Sequence, residues 1–130
     1  MSDPLKILLA DDTRDVERAY NIAFDEEGFE TKLVSDGEKV LEAYEEWKPD
    51  VILMDLQLPF LSGFEILKTI RKTQNDAKTT IIIVTAVRRE EDIKVCMQLG
   101  IQGYVIKPFV AYDLADKVLD SHRKHQAKFA

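Results

Sequence analysis

A single cysteine, Cys96, leaves no internal disulfide possible, which favours a reducing compartment, if weakly. Only two histidines occur, His122 and His125, both near the C-terminus, so no His/Cys set suggests a zinc site. No apolar run approaches the ~18 residues needed to cross a bilayer. The N-terminal "MSDPLK" is acidic and broken by proline, and lacks the pattern of a secretory leader. Positive charge is in deficit too: 18 Lys and Arg stand against 24 Asp and Glu, a net charge of −6, which argues against direct binding of nucleic acid or an anionic membrane. Repeats, low-complexity tracts and internal linkers are absent. The expectation is a soluble, cytoplasmic protein.

What is present is an ordinary globular balance, 45% hydrophobic and 32% charged over 130 residues, enough for one domain with a sizeable core. The domain is assigned to 1–130, with the basic tail 123–130 expected to fray. Strands are predicted at "LKILLA" (5–10), "FETKLVS" (29–35), "DVILM" (50–54), "TIIIVT" (80–85) and "GYVI" (103–106), the first, third and fourth reading as buried on both faces. Between them lie helical faces. Val16, Ala19, Tyr20, Ala23 and Phe24 make the first, with Gly28 as its C-cap. Ser35 with Glu38, and Ser62 with Glu65, read as capping boxes opening the second and third. Ile93, Cys96, Met97 and Gly100 form a fourth, and Ala111, Leu114, Ala115 and Val118 a fifth. Strands alternating with helices predict an α/β fold, a doubly wound parallel sheet covered on both faces.

The tips of those strands carry the chemistry. In such a sheet, ligands sit beyond the carboxyl ends of the strands. The first strand ends in Asp11 and Asp12, the third in Asp55, the fourth in Thr85 and Ala86, the fifth in Lys107 and Pro108. Parallel strands bring all of these to one edge. Three carboxylates so close repel one another unless a cation intervenes, and one lysine cannot neutralise three. A hard divalent ion such as Mg²⁺ suits oxygen ligands of this kind. A carboxylate facing a lysine and a hydroxyl suits phosphoryl chemistry, with the carboxylate as nucleophile and the cations on the phosphoryl oxygens.

Four segments, "ADD" at 10–12, "DLQLPFLSG" at 55–63, "TA" at 85–86 and "YVIKPF" at 104–109, occur in this order at these strand ends. Together they resemble the receiver domain of two-component response regulators, over about residues 5 to 122, most nearly the single-domain chemotaxis-regulator type. The resemblance implies a flavodoxin-like five-stranded sheet of order 2-1-3-4-5 flanked by five helices. It implies that Asp55 accepts a phosphoryl group from a phosphohistidine on a sensor histidine kinase or histidine phosphotransfer protein. Mg²⁺ would be bound by Asp12, Asp55 and the backbone carbonyl of Gln57, with Asp11 acting largely through water. Lys107 would pair with Asp55, Thr85 would move towards the phosphoryl group, and Tyr104 would change rotamer behind it. Pro59 and Gly63 would shape the loop after Asp55, and the Lys107–Pro108 peptide would be cis. The 88–122 face would meet an unknown downstream protein. Such a chain would catalyse only its own phosphorylation and autodephosphorylation, and would not be an enzyme towards other substrates. The chain either acts alone or is the N-terminal piece of a longer protein; Met1 in front and a short tail behind favour the first as the expectation.

Two other functions compete. An Mg²⁺-dependent aspartyl-phosphate phosphohydrolase of the haloacid-dehalogenase type would usually carry an acid where Gln57 stands. A phosphorylation-independent adaptor would not need the complete set of acids, threonine and lysine. Each residue also has a plainer reading. Asp11 and Asp12 suit a helix start, Asp55 a solvated loop, Tyr104 the core, and Arg88 and Asp92 an i, i+4 surface pair. Cys96, Met97, Trp47 and Phe60 read as packing residues.

Overall fold

A computed structural model describes residues 3–130; Met1 and Ser2, the start of the assigned domain, lie outside the described residues. Five strands, β1 (Leu5–Ala10), β2 (Phe29–Val34), β3 (Val51–Met54), β4 (Thr80–Thr85) and β5 (Gly103–Ile106), form one parallel sheet. Their order is β2-β1-β3-β4-β5. Five α-helices connect and close the chain: α1 (Arg14–Ala23), α2 (Gly37–Trp47), α3 (Gly63–Lys68), α4 (Glu90–Leu99) and α5 (Ala111–Ala127). Wider π-helical turns, Thr69–Thr73, continue α3.

Strands β3 and β4 are buried along their whole length, and β1 from Ile7 onward, because apolar side chains on both faces meet helices. Every residue of β3 and β4 is buried, including Thr80 and Thr85. On one face Ile7, Leu9, Leu53, Ile82 and Val84 pack against Val16 and Tyr20 of α1, Phe24 just beyond it, and Leu114 and Val118 of α5. On the other, Leu8, Ile52, Met54, Ile81 and Ile83 meet Val40 and Ala43 of α2, Ile66, Leu67 and Ile70 of the α3 region, and Cys96 of α4. Alternation along each strand thus feeds two separate cores, which is why the strands read as unbroken apolar runs. Removing a fully buried Leu or Ile from either costs about 2–5 kcal/mol.

Several local expectations need correction. Gly28 does not cap α1. That helix stops at Ala23, with Phe24 as its cap, and Gly28 (φ 103°) instead turns the chain into β2, its carbonyl accepting from Leu5 N. Asp36, not Ser35, caps α2, its carboxylate accepting from Lys39 N at 2.9 Å. The Ser62 cap forms as expected, Oγ accepting from Glu65 N at 3.3 Å. Met97 is 66% exposed, because α4 turns only Cys96 fully inward. Phe60 is also exposed. Arg88 precedes α4 and pairs with nothing there; Arg89–Glu91 and Lys94–Glu90 are the surface ion pairs of that region among the described residues.

The tail expected to fray from residue 123 is helical through Ala127. Its polar side chains grip the loop before β4. His122 Nδ1 lies 2.7 Å from Thr80 Oγ1, His125 Nε2 donates to the Ala77 carbonyl at 2.8 Å, and Gln126 Nε2 donates to the Lys78 carbonyl at 2.8 Å. The His125 ring meets Phe129 edge to face. Read as a run of polar residues, the segment hides this anchoring, which depends on a loop more than 40 positions away.

Candidate functional site

Parallel strands carry their C-terminal residues to one edge, and the register aligns them closely. Ala10 sits beside Met54, Met54 beside Ile83, and Thr85 beside Ile106. The next residues, Asp11, Asp55 and Lys107, therefore leave the sheet together. Asp55 N donates to the Ala10 carbonyl and Lys107 N to the Thr85 carbonyl, extending the ladders by one bond on each side of the site.

The side chains then converge. Lys107 Nζ donates to Asp11 Oδ2 at 2.5 Å and to Asp55 Oδ2 at 2.8 Å. Thr85 Oγ1 donates to Asp55 Oδ1 at 2.6 Å, and Gln57 N donates to the same oxygen at 3.0 Å. Asp11 Oδ1 accepts from Thr13 N at 2.9 Å and Thr13 Oγ1 at 2.6 Å. Asp11 and Asp55 are buried, whereas Asp12 faces solvent. Burial alone would lower the Lys107 pKa, but its bonds and charge attraction to Asp55 and Asp11 outweigh that, and the ammonium is held above the ordinary lysine value. It stays cationic at any physiological pH.

Asp11, Asp12 and Asp55 carry three negative charges against one from Lys107. A cleft of about 510 Å³ opens over them, lined by Asp12, Asp55, Gln57, Ala86 and Lys107, with Val16 and Phe109 as its apolar wall. Among the described residues no cluster of three or more acidic, histidine or cysteine side chains forms a ready metal cage. Asp12, Asp55 and Gln57 are oxygen-bearing residues of its lining, whereas Asp11 does not line it.

Of the positions singled out from sequence, Asp11, Asp55, Thr85 and Lys107 form one hydrogen-bonded unit, and Asp12 and Gln57 border it. Tyr104 stands one step removed, its hydroxyl donating to the Val87 carbonyl at 2.6 Å. Burial first, then the charges of Cys96, Asp92 and Asp55, raise that phenol to about 12, so it remains a donor. The Lys107–Pro108 peptide is cis. Gly63 is needed for space: a β-carbon there would stand 2.6 Å from the Asp55 carbonyl oxygen and 2.8 Å from Leu56 Cα. Pro59 directs its carbonyl at the N-terminus of α2, accepting from Gly37 N at 3.1 Å.

Sequence reasoning missed Thr13, which supplies two donors to Asp11; a Thr two residues after an Asp is a recognisable Asx-turn signal. It also missed Tyr20, whose buried hydroxyl has no hydrogen-bond partner among the described residues and whose ring stacks on Phe109, 5.6 Å between centroids. An aromatic on a helix's apolar face carries no mark of what its hydroxyl will meet.

Comparison with known proteins points one way. The family model described as "Response regulator receiver domain" matches residues 7–119. The DNA-binding response regulator MtrA of Mycolicibacterium smegmatis is 31% identical over 121 residues, covering 93% of this chain and 52% of MtrA. The regulatory protein AtoC of Escherichia coli is 36% identical over 104 residues, 80% of this chain and 22% of AtoC. The chain thus spans about half the length of the first relative and less of the second. Among solved structures, the receiver domain of the Francisella response regulator 1452 superposes with a TM-score of 0.81 at 30% identity, covering 92% of this chain and 98% of that one. A CheY-like receiver domain protein from Methanospirillum hungatei reaches 0.86 at 22% identity, a likeness of fold alone, over 97% and 99% of the two chains.

Proposed function

The chain belongs to the response regulator receiver domain family, and on that footing we propose that it is the phosphoacceptor of a two-component phosphorelay, with Asp55 as the acceptor. The observation that carries this reading is the bridging of Asp11 and Asp55 by Lys107, with Thr85 on the same Asp55 carboxylate. A buried carboxylate held in that way is oriented as a nucleophile and already faces the donors its product needs.

In the proposed reaction an Asp55 carboxylate oxygen attacks the phosphorus of a phosphohistidine. The P–N bond breaks, its electron pair stays on the imidazole nitrogen, and an acyl phosphate forms on Asp55. Lys107 then offers its ammonium, and Thr85 its hydroxyl, to the phosphoryl oxygens, where charge develops in the transition state. Asp11 positions the ammonium through its bond to Nζ, and Thr13 fixes Asp11 in turn.

The donor set fits Mg²⁺: hard oxygens only, few carboxylates free of other partners, and a cleft open enough for the ion to keep waters. Asp12, Asp55 and the Gln57 carbonyl would hold it, with Asp11 reaching it indirectly. When bound, the ion neutralises charge that Lys107 alone leaves uncompensated.

The donor would be a sensor histidine kinase or a histidine phosphotransfer protein, and the setting the cytoplasm. The chain would catalyse only its own phosphorylation and dephosphorylation. Phosphorylation would pull Thr85 onto the phosphoryl group and shift the 88–122 face, where Met97, Ile106, Val110 and Tyr112 are exposed, towards a downstream protein. Incubation with Mg²⁺ and acetyl phosphate, read by intact mass, tests the reading. One phosphoryl group is expected on the wild type and none on Asp55→Asn or after chelation of Mg²⁺. An unchanged wild-type mass would overturn it.

A further inference from the structure

Three helices begin at a residue whose side chain is able to cap them: Thr13 before α1, Asp36 before α2 and Ser62 before α3. Two of these do so. Asp36 accepts from Lys39 N and Ser62 from Glu65 N, each three residues ahead. Thr13 does not. Its backbone (φ −95°, ψ 134°) is that of an ordinary N-cap, yet among the described residues its hydroxyl accepts from no N–H of the first turn of α1. It turns back instead and donates to Asp11 Oδ1 at 2.6 Å, beside the bond from its own N–H at 2.9 Å. The helix forgoes a cap that its sequence could supply, and Asp11 gains a second donor. Thr13 is exposed and joins neither core, so packing does not account for the arrangement.

The effect on Asp11 can be counted. A carboxylate offers about four lone-pair sites, two on each oxygen. Thr13 fills both sites of Oδ1, and Lys107 Nζ takes one on Oδ2. A single site is left. The Asp11 side chain is 0% exposed and lies outside the lining of the 510 Å³ cleft. Asp12, the next residue, is exposed and lines that cleft, as Asp55 does. Two adjacent acids thus stand apart in their surroundings. One is turned inward to the lysine and held by Thr13, and the other is open to the cleft.

We infer that Thr13 is a positioning residue that withholds Asp11 from the metal ion, so that Mg²⁺ is held more loosely than three free carboxylates would hold it. This rests on the reading of the site as a Mg²⁺-assisted phosphoacceptor. The affinity of a hard cation follows the charge and number of the oxygens free to face it. The hydroxyl of Thr13 offsets part of the charge on Oδ1 and keeps that oxygen from accepting from a metal-bound water. Asp11 then serves Lys107, and the ion is left to Asp12, Asp55 and the Gln57 carbonyl. The residue at position 13 thereby sets how much free Mg²⁺ is needed to fill the site.

The test measures metal binding with no phosphoryl donor present. Metal-free protein labelled with ¹⁵N is titrated with MgCl₂ at constant ionic strength, and the amide shifts give Kd. Thr13→Val keeps the shape of the side chain, removes the donor and costs no cap bond, because Thr13 makes none. It is expected to bind Mg²⁺ more tightly, with Kd lower by roughly three- to tenfold, the change that one hydrogen bond makes. Thr13→Ser keeps the hydroxyl and is expected to match the wild type, and Thr13→Ala to follow Thr13→Val. The shift must pass through Asp11, so in an Asp11→Asn background Thr13→Val is expected to leave Kd within about twofold. A role confined to supporting α1 would lower the urea midpoint of metal-free Thr13→Val and leave Kd where it was, and that result would overturn the inference. Weaker binding in Thr13→Val would overturn it too, as would a shift that persists in the Asp11→Asn background. These outcomes leave Mg²⁺ binding by the wild type intact, whereas its absence would overturn the metal reading together with the inference.

Discussion

Replacing Lys107 with methionine is the most informative single perturbation of the site. Methionine keeps the unbranched apolar stem, one atom shorter, but removes the charge. The change strands two oxygens at once, because among the described residues Asp11 Oδ2 and Asp55 Oδ2 have no other hydrogen-bond donor than Nζ. The side chains of those carboxylates are 0% and 5% exposed, and that of Lys107 is 17% exposed. Hydrogen bonds to charged groups contribute about 1.5–3 kcal/mol each, and breaking a buried pair by deleting one partner costs about 3–5 kcal/mol. Partial access of solvent to the ammonium argues for the lower end, about 3 kcal/mol. For a chain of this size that corresponds to a fall in thermal midpoint of roughly 10 °C. Urea unfolding at neutral pH measures it, with the slope unchanged. Because the cost comes from an uncompensated acid pair, it should shrink when Asp55→Asn is already present, and Mg²⁺ should recover part of it in the single variant. A loss below about 1 kcal/mol, or equal losses with and without Asp55→Asn, would refute the reasoning that Lys107 holds this pair together.

Two further predictions follow from local geometry. Gly63→Ala would press a β-carbon onto the Asp55 carbonyl and Leu56 Cα, at a cost of about 1–3 kcal/mol. It should slow phosphorylation of Asp55 more than it alters secondary structure, which circular dichroism and acetyl-phosphate labelling together would show; an unperturbed labelling rate would contradict it. Burial holds both His122 and His125 below the ordinary value of 6.5, and His125 Nδ1 is buried without a partner among the described residues. The folded state therefore prefers the neutral rings while the unfolded chain takes up protons near 6.5, so stability is fully present above that value and declines as pH falls below it. The urea midpoint should drop between about pH 7 and 5.5, and His125→Gln, which keeps a donor for the Ala77 carbonyl, should flatten the decline. An unaltered profile in that variant would contradict the assignment.

What could be read from the sequence, and what could not, divides by range. The strands "VILM" and "TIIIVT" announced themselves because burial on both faces leaves no polar alternation to misread. The meeting of Asp11, Asp55, Thr85 and Lys107 was legible because parallel strands force their ends to one edge, a constraint of topology that needs no side-chain detail. The cap of α2 was misplaced by one residue because Ser35 and Asp36 are both good caps and only the approach of the chain decides between them. Gly28 was misassigned because a positive φ serves a turn into a strand as well as a helix end. The anchoring of His125 and Gln126 rests on carbonyls of residues 77 and 78, and the exposure of Phe60 and Met97 on which neighbours are missing. Neither is written in local pattern. The Asp11–Lys107 bond lay in the same blind spot: pairing of the lysine with Asp55 was expected, but its sharing between two acids depends on where the ammonium comes to rest.

The most direct test of the central claim is to locate the phosphoryl group chemically. The wild-type chain, phosphorylated with acetyl phosphate and Mg²⁺, is treated with borohydride, which reduces an aspartyl phosphate to homoserine, and the product is mapped by peptide mass spectrometry. Homoserine at position 55 alone is the predicted result. Reduction at Asp11 or Asp12, or a phosphoryl group found on His122 or His125 with Asp55 intact, would contradict it.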